Sequence, residues 1–460
     1  MNRALEHSTM KKLILAAALA ASGTVFAGRP VAHWDVIPYQ RVSKTFKAGV
    51  VAFHEKGVTV DFTANGKKVA SVDKPQFNSR TKVSEHFFVF DASKFKDGPV
   101  TFGATATVPG EEPYRLPDIV LYANSKKSLG SRGTCWVDPV NGNDFADGTK
   151  EAPVKNMKQA VNRAGDGGTV YLLPGVYQSK LIGGGVARKY WTLVTPAPGV
   201  DRSQVRFSSG RTGTDKLHFK NVELFCNVKS GYGTVIMGES GDTMAWFDNC
   251  RFYNTRGRID GATTPFGNKL RAFVTGGSTE NIGTGPFAEI VRGHSISNIS
   301  GDAFSGSNGL LVNCTVNDID AEGNDVERDF YRAFAAGDSW VHDTIIYNCE
   351  VSRCNGRAFS GTRFRDSAIV NVTVDSSAPT TVHSQFFGPV ENVLFANVAV
   401  KNQTWQWMTA KDGRANFQPK DVRLFGVTAD EFTGFGTDDG SEGLTMSPDY
   451  DETIFPKGEK

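Results

Sequence analysis

Six arginines, Arg328, Arg332, Arg353, Arg357, Arg363 and Arg365, fall within 38 residues and are interrupted by Asp329, Asp338, Asp343 and Asp366. A guanidinium is planar, charged at any physiological pH and able to hold a carboxylate or sulfate through two parallel hydrogen bonds, so such a row suits an anionic polymer. The same arginines can instead pair with the neighbouring aspartates and simply cover a surface. In the same region, "DIDAEGNDVERD" puts Asp318, Asp320, Glu322, Gly323 and Asp329 at positions one, three, five, six and twelve of a calcium-loop template. Alternating carboxylates around a glycine turn can supply most of the oxygens that calcium requires. The match departs from the template in Glu322, in the shorter Asp329, in Asp325 at position eight and in the lack of predicted flanking helices; a solvated acidic loop is the alternative. "DPVNGNDFADG" (138–148) is a weaker match of the same type. Downstream, "TTVHSQFFG" and "TWQWMTAK" add His383, Trp405, Trp407 and Lys411. Histidine titrates in the range useful to a general base. Indole faces stack on sugar rings, and either tryptophan also suits a core.

These residues need a scaffold, and the sequence repeats one. "IIYNCEV" (345–351) returns as "LLVNCTV" (310–316) and "AIVNVTV" (368–374), and more loosely as "FKNVELF" (219–225), "WFDNCRF" (246–252) and "LFANVAV" (394–400). The asparagines at 221, 249, 313, 348, 371 and 397 are separated by 28, 64, 35, 23 and 26 residues. Such gaps suit one solenoid coil each, with the gap of 64 holding two coils and Gly293 the intermediate corner. Coils stack at about 4.8 Å, so equivalent asparagines in a tight turn can hydrogen-bond one above another. A second phrase, "RAFVTG" (271), "DAFSGS" (302), "RAFAAG" (332) and "RAFSGT" (357), predicts a further strand per coil. In that register Phe273, Phe304, Phe334 and Phe359 stack inward, and Arg332 and Arg357 open equivalent strands on adjacent coils. Between Val316 and Arg332 lie fifteen residues, against five between Val351 and Arg357, which marks a long loop beside the groove.

The remaining segments complete the plan. Lys11-Lys12, the apolar run "LILAAALAA" and Val25-Phe26-Ala27 read as an export signal over 1–27, cleaved near Ala27, so the product is expected to be secreted or periplasmic. Without those residues the chain has 48 basic and 48 acidic side chains, and its overall charge points to no nucleic-acid or membrane partner. A monomer is expected. Residues 28–125 alternate apolar and polar in "GVTVDFTA" and "EHFFVFDA", the pattern of an antiparallel β-sandwich. A linker over 126–134, the solenoid over 135–435 and an acidic C-terminal tail over 436–460 follow. Met157, Ala160, Val161 and Ala164 lie on one face of a short helix ending at Gly165. Cys250, Cys314 and Cys349 replace Val222, Val372 and Val398 of other copies, which reads as core packing; Cys349–Cys354 and Cys226–Cys250 are the conceivable bridges.

The segment "WVDPVNGNDFADGTKEAPVKNMKQAVNRAGDGGTVYLLPGVY" (136–177) resembles the entry of right-handed parallel β-helix proteins of the pectate-lyase-like group, where a helix closes the first coil. "FDASKFKDGPVTFGATATV" resembles the late strands of immunoglobulin-like modules. The fold class expected is therefore all-β: a right-handed parallel β-helix preceded by a small antiparallel β-sandwich. The resemblance implies a lyase acting on an anionic, uronate-containing polysaccharide, with calcium or a groove arginine neutralising the carboxylate. Arg332, Arg357 and His383 are then the catalytic candidates; Arg363, Arg365, Trp405, Trp407 and Lys411 bind substrate; Asp318, Asp320, Glu322 and Asp329 hold the metal. Two alternatives stand beside it. A glycoside hydrolase would use a carboxylate pair drawn from Asp302, Asp338, Asp343 and Asp366, and a non-catalytic carbohydrate-binding protein would use neither.

Overall fold

The computed structural model describes residues 28–130, 133–178, 182, 187–208, 210–228, 233–238, 243–257, 263–267, 270–306, 309–319, 328–333, 339–376, 384–386, 388–407, 419–433 and 444–457. Alternation decides the first module. In Thr59–Ala64 the side chains of Val60, Phe62 and Ala64 are buried and those between them are half-buried, since successive residues leave a strand on opposite faces. Such strands build two sheets. One runs Val31–Trp34, Thr45–Phe53, Val83–Asp91, Gln76–Asn78; the other runs Arg41–Val42, Ile119–Ala123, Gly98–Thr107, Thr59–Ala64, Lys67–Val72. Trp34, Phe62, Phe88, Phe90 and Phe102 fill the space between them.

From Thr134–Val137 to Leu444–Ser447 most strands pair in parallel into one wound sheet, a parallel β-helix, while Gly210–Thr212, Gly233–Gly238 and Thr263–Phe266 pair in parallel as a separate three-stranded sheet. Helix α1 (Met157–Ala164) covers its first coil. The Asn156 side chain caps it by accepting the Gln159 amide hydrogen, Gly165 ends it at φ 68°, and its buried face is Met157, Ala160, Val161 and Ala164. The helix hides apolar core that an open solenoid end would expose.

The repeated asparagines are corners. Asn221, Asn249, Asn313, Asn348, Asn371 and Asn397 all have φ between 50° and 54°, the left-handed region that asparagine tolerates better than other side-chain-bearing residues. Each turn swings an amide onto the next coil, as in Asn313 N–H to Tyr347 O (3.0 Å) and Asn348 N–H to Val370 O (3.1 Å). Side chains continue the ladder: Asn249 donates to Asn221 (2.8 Å), Asn371 to Asn348 (3.2 Å) and Asn397 to Asn371 (2.9 Å). The gap of 64 residues holds two corners rather than one, Gly276 at φ 65° and Gly293 at φ 62°, so it spans three coil steps. Glycine takes this conformation without an amide side chain to mark it. Further left-handed corners, unnoticed in the sequence, stand at Asn281, Asn298 and Asp318, and at Asp343, Asp366, Asn392 and Asp421.

The sandwich is not a bead on a linker. Its Val31, Val51, Phe53 and Val83 pack on Phe273, Ile290, Leu310, Ile345, Tyr347, Ala368 and Leu394, which point outward from successive coils. This explains the unbroken apolar run of "IIY": Ile346 faces the solenoid core, while Ile345 and Tyr347 face the sandwich. All six cysteines are buried and unbridged. The region read as an acidic tail is in part structural. Leu444–Ser447 pairs with Lys420–Phe425, Phe455 is buried under the sandwich, and the Pro456 carbonyl accepts hydrogen bonds from Tyr347 and Asn371.

Candidate functional site

A second strand column faces away from the sandwich: Phe304–Ser305, Tyr331–Ala333, Phe359–Gly361, Ser384–Phe386 and the end of Val390–Trp407. Its register runs Phe304, Tyr331, Phe359 on the inner side and Ser305, Arg332, Ser360, Gln385, Gln406 on the outer. This corrects the alignment of the "RAF" phrases. Tyr331, not Phe334, lies between Phe304 and Phe359, and Arg332 is level with Ser360 rather than Arg357. Phe273 belongs to the sandwich-covered face. Phe334 lies outside the described residues.

The corrected register still brings the arginines together. Asp329 lies between Asp302 and Arg357, because the Asp329 N–H donates to Asp302 Oδ1 (3.0 Å) and the Phe330 N–H donates to the Arg357 carbonyl (2.9 Å). Arg332 Nη1 is 3.9 Å from Asp302 Oδ2, and Arg357 Nη1 is 4.0 Å from Asp329 Oδ2. The Asp329 side chain is fully buried, whereas Asp302, Arg332 and Arg357 keep 13%, 25% and 12% of their side-chain surface exposed. Burial pushes the Asp329 carboxyl up to about 6, opposed by the hydrogen bond from Ser360 and by the charges of Arg357 and Arg332. The Asp329 carboxyl therefore acts on the arginines from behind.

A polar brace holds this segment from within the solenoid. Gln403 accepts the Ala358 N–H (3.0 Å) and the Ser384 hydroxyl (2.6 Å), and donates to the Gly356 carbonyl (3.0 Å). Gln403 is itself buried. No sequence pattern pointed to Gln403 or Ser384, since a lone buried amide has no periodic signature; their proximity to Arg357 arises only when the coils stack.

The other expected residues scatter. Trp405 is completely buried among Phe359, Phe386 and Phe395, so it is a core residue and cannot stack on a sugar. Its strand puts it on the inner column, where an indole fills the space opposite Phe359. Arg365 stacks over Trp340 (5.3 Å) and lies 3.7 Å from Asp366, on the strand beyond the groove, and Arg363 sits at the bend between the two strands. His383, Lys411, Asp320 and Glu322 lie outside the described residues, as does the Trp407 side chain. Asp318 is a corner paired with Arg353 (2.5 Å), and Asp329 is engaged by Ser360 and Arg357, so the two described members of the calcium set face cationic partners rather than a shared metal position. Among the described residues no group of three or more His, Cys, Asp or Glu side chains could hold a metal ion. Of the carboxylates considered for hydrolysis, Asp343 and Asp366 are both taken by Arg29 (2.9 Å each) at the sandwich interface. Asp338 lies outside the described residues.

No family model matches the chain, and no curated protein matches it. Among solved structures, a GH136 lacto-N-biosidase from Eubacterium ramulus is similar at 11% identity and a TM-score of 0.35, over 68% of this chain and 67% of that one. A rhamnogalacturonan lyase is similar at 10% identity and a TM-score of 0.30, over 68% of this chain and 84% of that one. By its own strand pairing, the chain is an all-β protein in which a two-sheet module lies along a parallel β-helix.

Proposed function

We propose that this chain is an exported enzyme that cleaves an acidic, uronate-containing polysaccharide by β-elimination on the open face, with Arg332 and Arg357 receiving the uronate carboxylate. The observation that carries this reading is the pair of partly exposed guanidiniums backed by a fully buried carboxyl. In the reaction a base removes the proton beside the carboxylate, the ring carbon–carbon double bond forms, and the glycosidic carbon–oxygen bond on the far carbon breaks with protonation of the leaving oxygen. The arginines stabilise the charge that builds on the carboxylate as the proton leaves. Arg332 and Arg357 are already oriented, by Asp302 and Asp329, before substrate arrives. His383, adjacent in sequence to the Ser384–Phe386 strand of this face, is the base in this reading. Gln385 and Gln406, hydrogen-bonded to each other (2.5 Å), offer amides to sugar hydroxyls further along the groove.

One observation favours hydrolysis instead. Asp329 is pushed up to about 6 one coil from Asp302, and a raised carboxyl beside a second carboxyl is the equipment of glycoside hydrolysis. We place it second, because a general acid must reach the leaving oxygen and the Asp329 side chain has no exposed surface. A screen on uronate, sulfated and neutral polysaccharides separates the readings. Elimination gives ultraviolet absorbance together with new reducing ends; hydrolysis gives reducing ends alone; a binding protein gives neither.

A further inference from the structure

The corner ladder Asp343, Asp366, Asn392, Asp421 runs beside the start of the described chain. Arg29 donates to Asp343 and Asp366 and stacks on Tyr114 (4.0 Å). Asn392 donates to the Arg29 carbonyl (3.2 Å), and His54 Nε2 lies 3.0 Å from the Gly28 carbonyl. The last member, Asp421, meets Gly28. A Cβ built on Gly28 would lie 2.0 Å from Asp421 Oδ2 and 2.5 Å from Asn392 Oδ1, so any side chain there would displace these head groups.

The charges around Gly28 do not balance. Arg423, almost wholly buried, pairs with Glu55 (2.8 Å) and lies 3.4 Å from Asp421. Burial lowers the pKa of His54, whose Nδ1 lies 3.4 Å from Glu55 Oε2, and the nearby Lys56 and Glu111 neutralise each other (2.6 Å). One cation thus serves two carboxylates. Apart from the Gly28 amide, which bears on Asp421, the Asp421 oxygens and Glu55 Oε1 are buried without a hydrogen-bond partner among the described residues, and the Asp421 side chain is only 9% exposed. Unpaired buried carboxylate oxygens are costly, and the missing element is one positive charge.

We infer that removal of residues 1–27 between Ala27 and Gly28 supplies that charge, and that the new α-ammonium of Gly28 forms a buried ion pair with Asp421 that locks the sandwich onto the β-helix. The sequence Val25-Phe26-Ala27 independently marks this bond. Hydrolysis adds the hydroxyl of water to the Ala27 carbonyl and a hydrogen to the Gly28 nitrogen, which takes up a further proton at neutral pH. An amide N–H that could only brush Asp421 becomes a cation with three donors. In the uncleaved chain burial pushes Asp421 up to about 6, with the Gly28 amide opposing the rise. Processing would then act as a checkpoint, since the interface is complete only in the exported form.

The test compares the chain beginning at a free Gly28 with the same chain carrying Phe26-Ala27 in front, and with the Nα-acetylated Gly28 form. The free-amine form is expected to melt several degrees higher near pH 6.5 than either blocked form. The partner raises the folded ammonium's pKa, so the advantage is present below the ordinary α-amino value of about 8 and is lost as pH rises through the raised value. Asp421→Asn should lower the free-amine form and leave the blocked forms nearly unchanged. Equal melting of free and blocked forms would overturn the inference, as would an equal loss from Asp421→Asn in all three, or a mass spectrum of the exported protein showing a start other than Gly28.

Discussion

The β-helix presents two contrasting faces built on the same backbone. On one, Phe273, Ile290, Leu310, Ile345, Ala368 and Leu394 point outward and the sandwich covers them. On the other, Ser305, Arg332, Ser360, Gln385 and Gln406 occupy the outward column, and among the described residues the sandwich does not pack on them. Stacked parallel strands impose the spacing on both, so the outward side chains alone decide whether a face becomes an interface or a groove. The covered face also explains why the sandwich belongs to the fold: its Val51 and Phe53 and the solenoid's Ile345 and Tyr347 are apolar because each would otherwise meet water.

The largest expected effect lies on the covered face. Ile345→Asp places an unpaired charge in a dry interface and should cost at least about 4 kcal/mol in denaturant unfolding, if the protein folds at all. The same change at Ser305, on the open face beside Arg332, should stay within about 0.5 kcal/mol. Similar losses at both would erase the distinction between the faces.

Next comes chemistry on the open face. Arg357→Ala and Arg332→Ala should each lower turnover by about 10² or more, about 2.7 kcal/mol of transition-state stabilisation, while the melting temperature stays within a few degrees. Gln403→Leu sharpens the point. It leaves the arginines in place but removes the brace on Gly356 and Ala358, so turnover should fall with little change in KM.

Acid titration probes the buried side of the same cluster. Asp329 is raised from an ordinary value of 3.8 to about 6, so the folded protein holds a proton that the unfolded chain has already released between those values. Stability from this group is therefore present below pH 3.8 and is lost as pH climbs to about 6, a fall on the order of 1–3 kcal/mol. In Asp329→Asn that component of the pH dependence should vanish from denaturation curves taken at pH 4 and pH 6.5. A comparable effect is expected at the corners: Asn348→Leu removes the acceptor for Asn371 and forces leucine into a left-handed turn, and thermal unfolding should show a loss of about 1–3 kcal/mol.

Local requirements were legible in the sequence and long-range ones were not. The asparagine of "IIYNCEV" announced a corner because a left-handed residue restricts side chains wherever it occurs. Helix α1 was legible for the same reason, through its spacing and Gly165. Gly293 was read as a corner, but Gly276 was not and hid one coil step, because glycine meets the requirement without a pattern. The "RAF" phrases misled on register: the strand pairing is offset by three residues from the phrase alignment, so that Tyr331 pairs with Phe359. Trp405 could be placed inside or outside only once its column was known. Asp343 and Asp366 looked like catalytic carboxylates until Arg29, more than 300 positions away, was brought to them. Arg332 and Arg357 were singled out by the charge pattern and the "RAF" phrases, but the contacts of Arg357 with the buried Asp329 and of Gln403 with Gly356 and Ala358 required the stacked coils.

The most direct test of the open-face site is backbone hydrogen exchange with and without the acidic polymer that the screen shows to be degraded, using the Arg357→Ala protein to prevent turnover and the native protein with short product fragments. Protection is predicted in peptides covering 302–306, 328–333, 357–361 and 384–386, with no change in the covered strands 310–312, 345–347 and 368–370. Protection confined to other parts of the molecule, with these open-face peptides exchanging as freely as before, would contradict it.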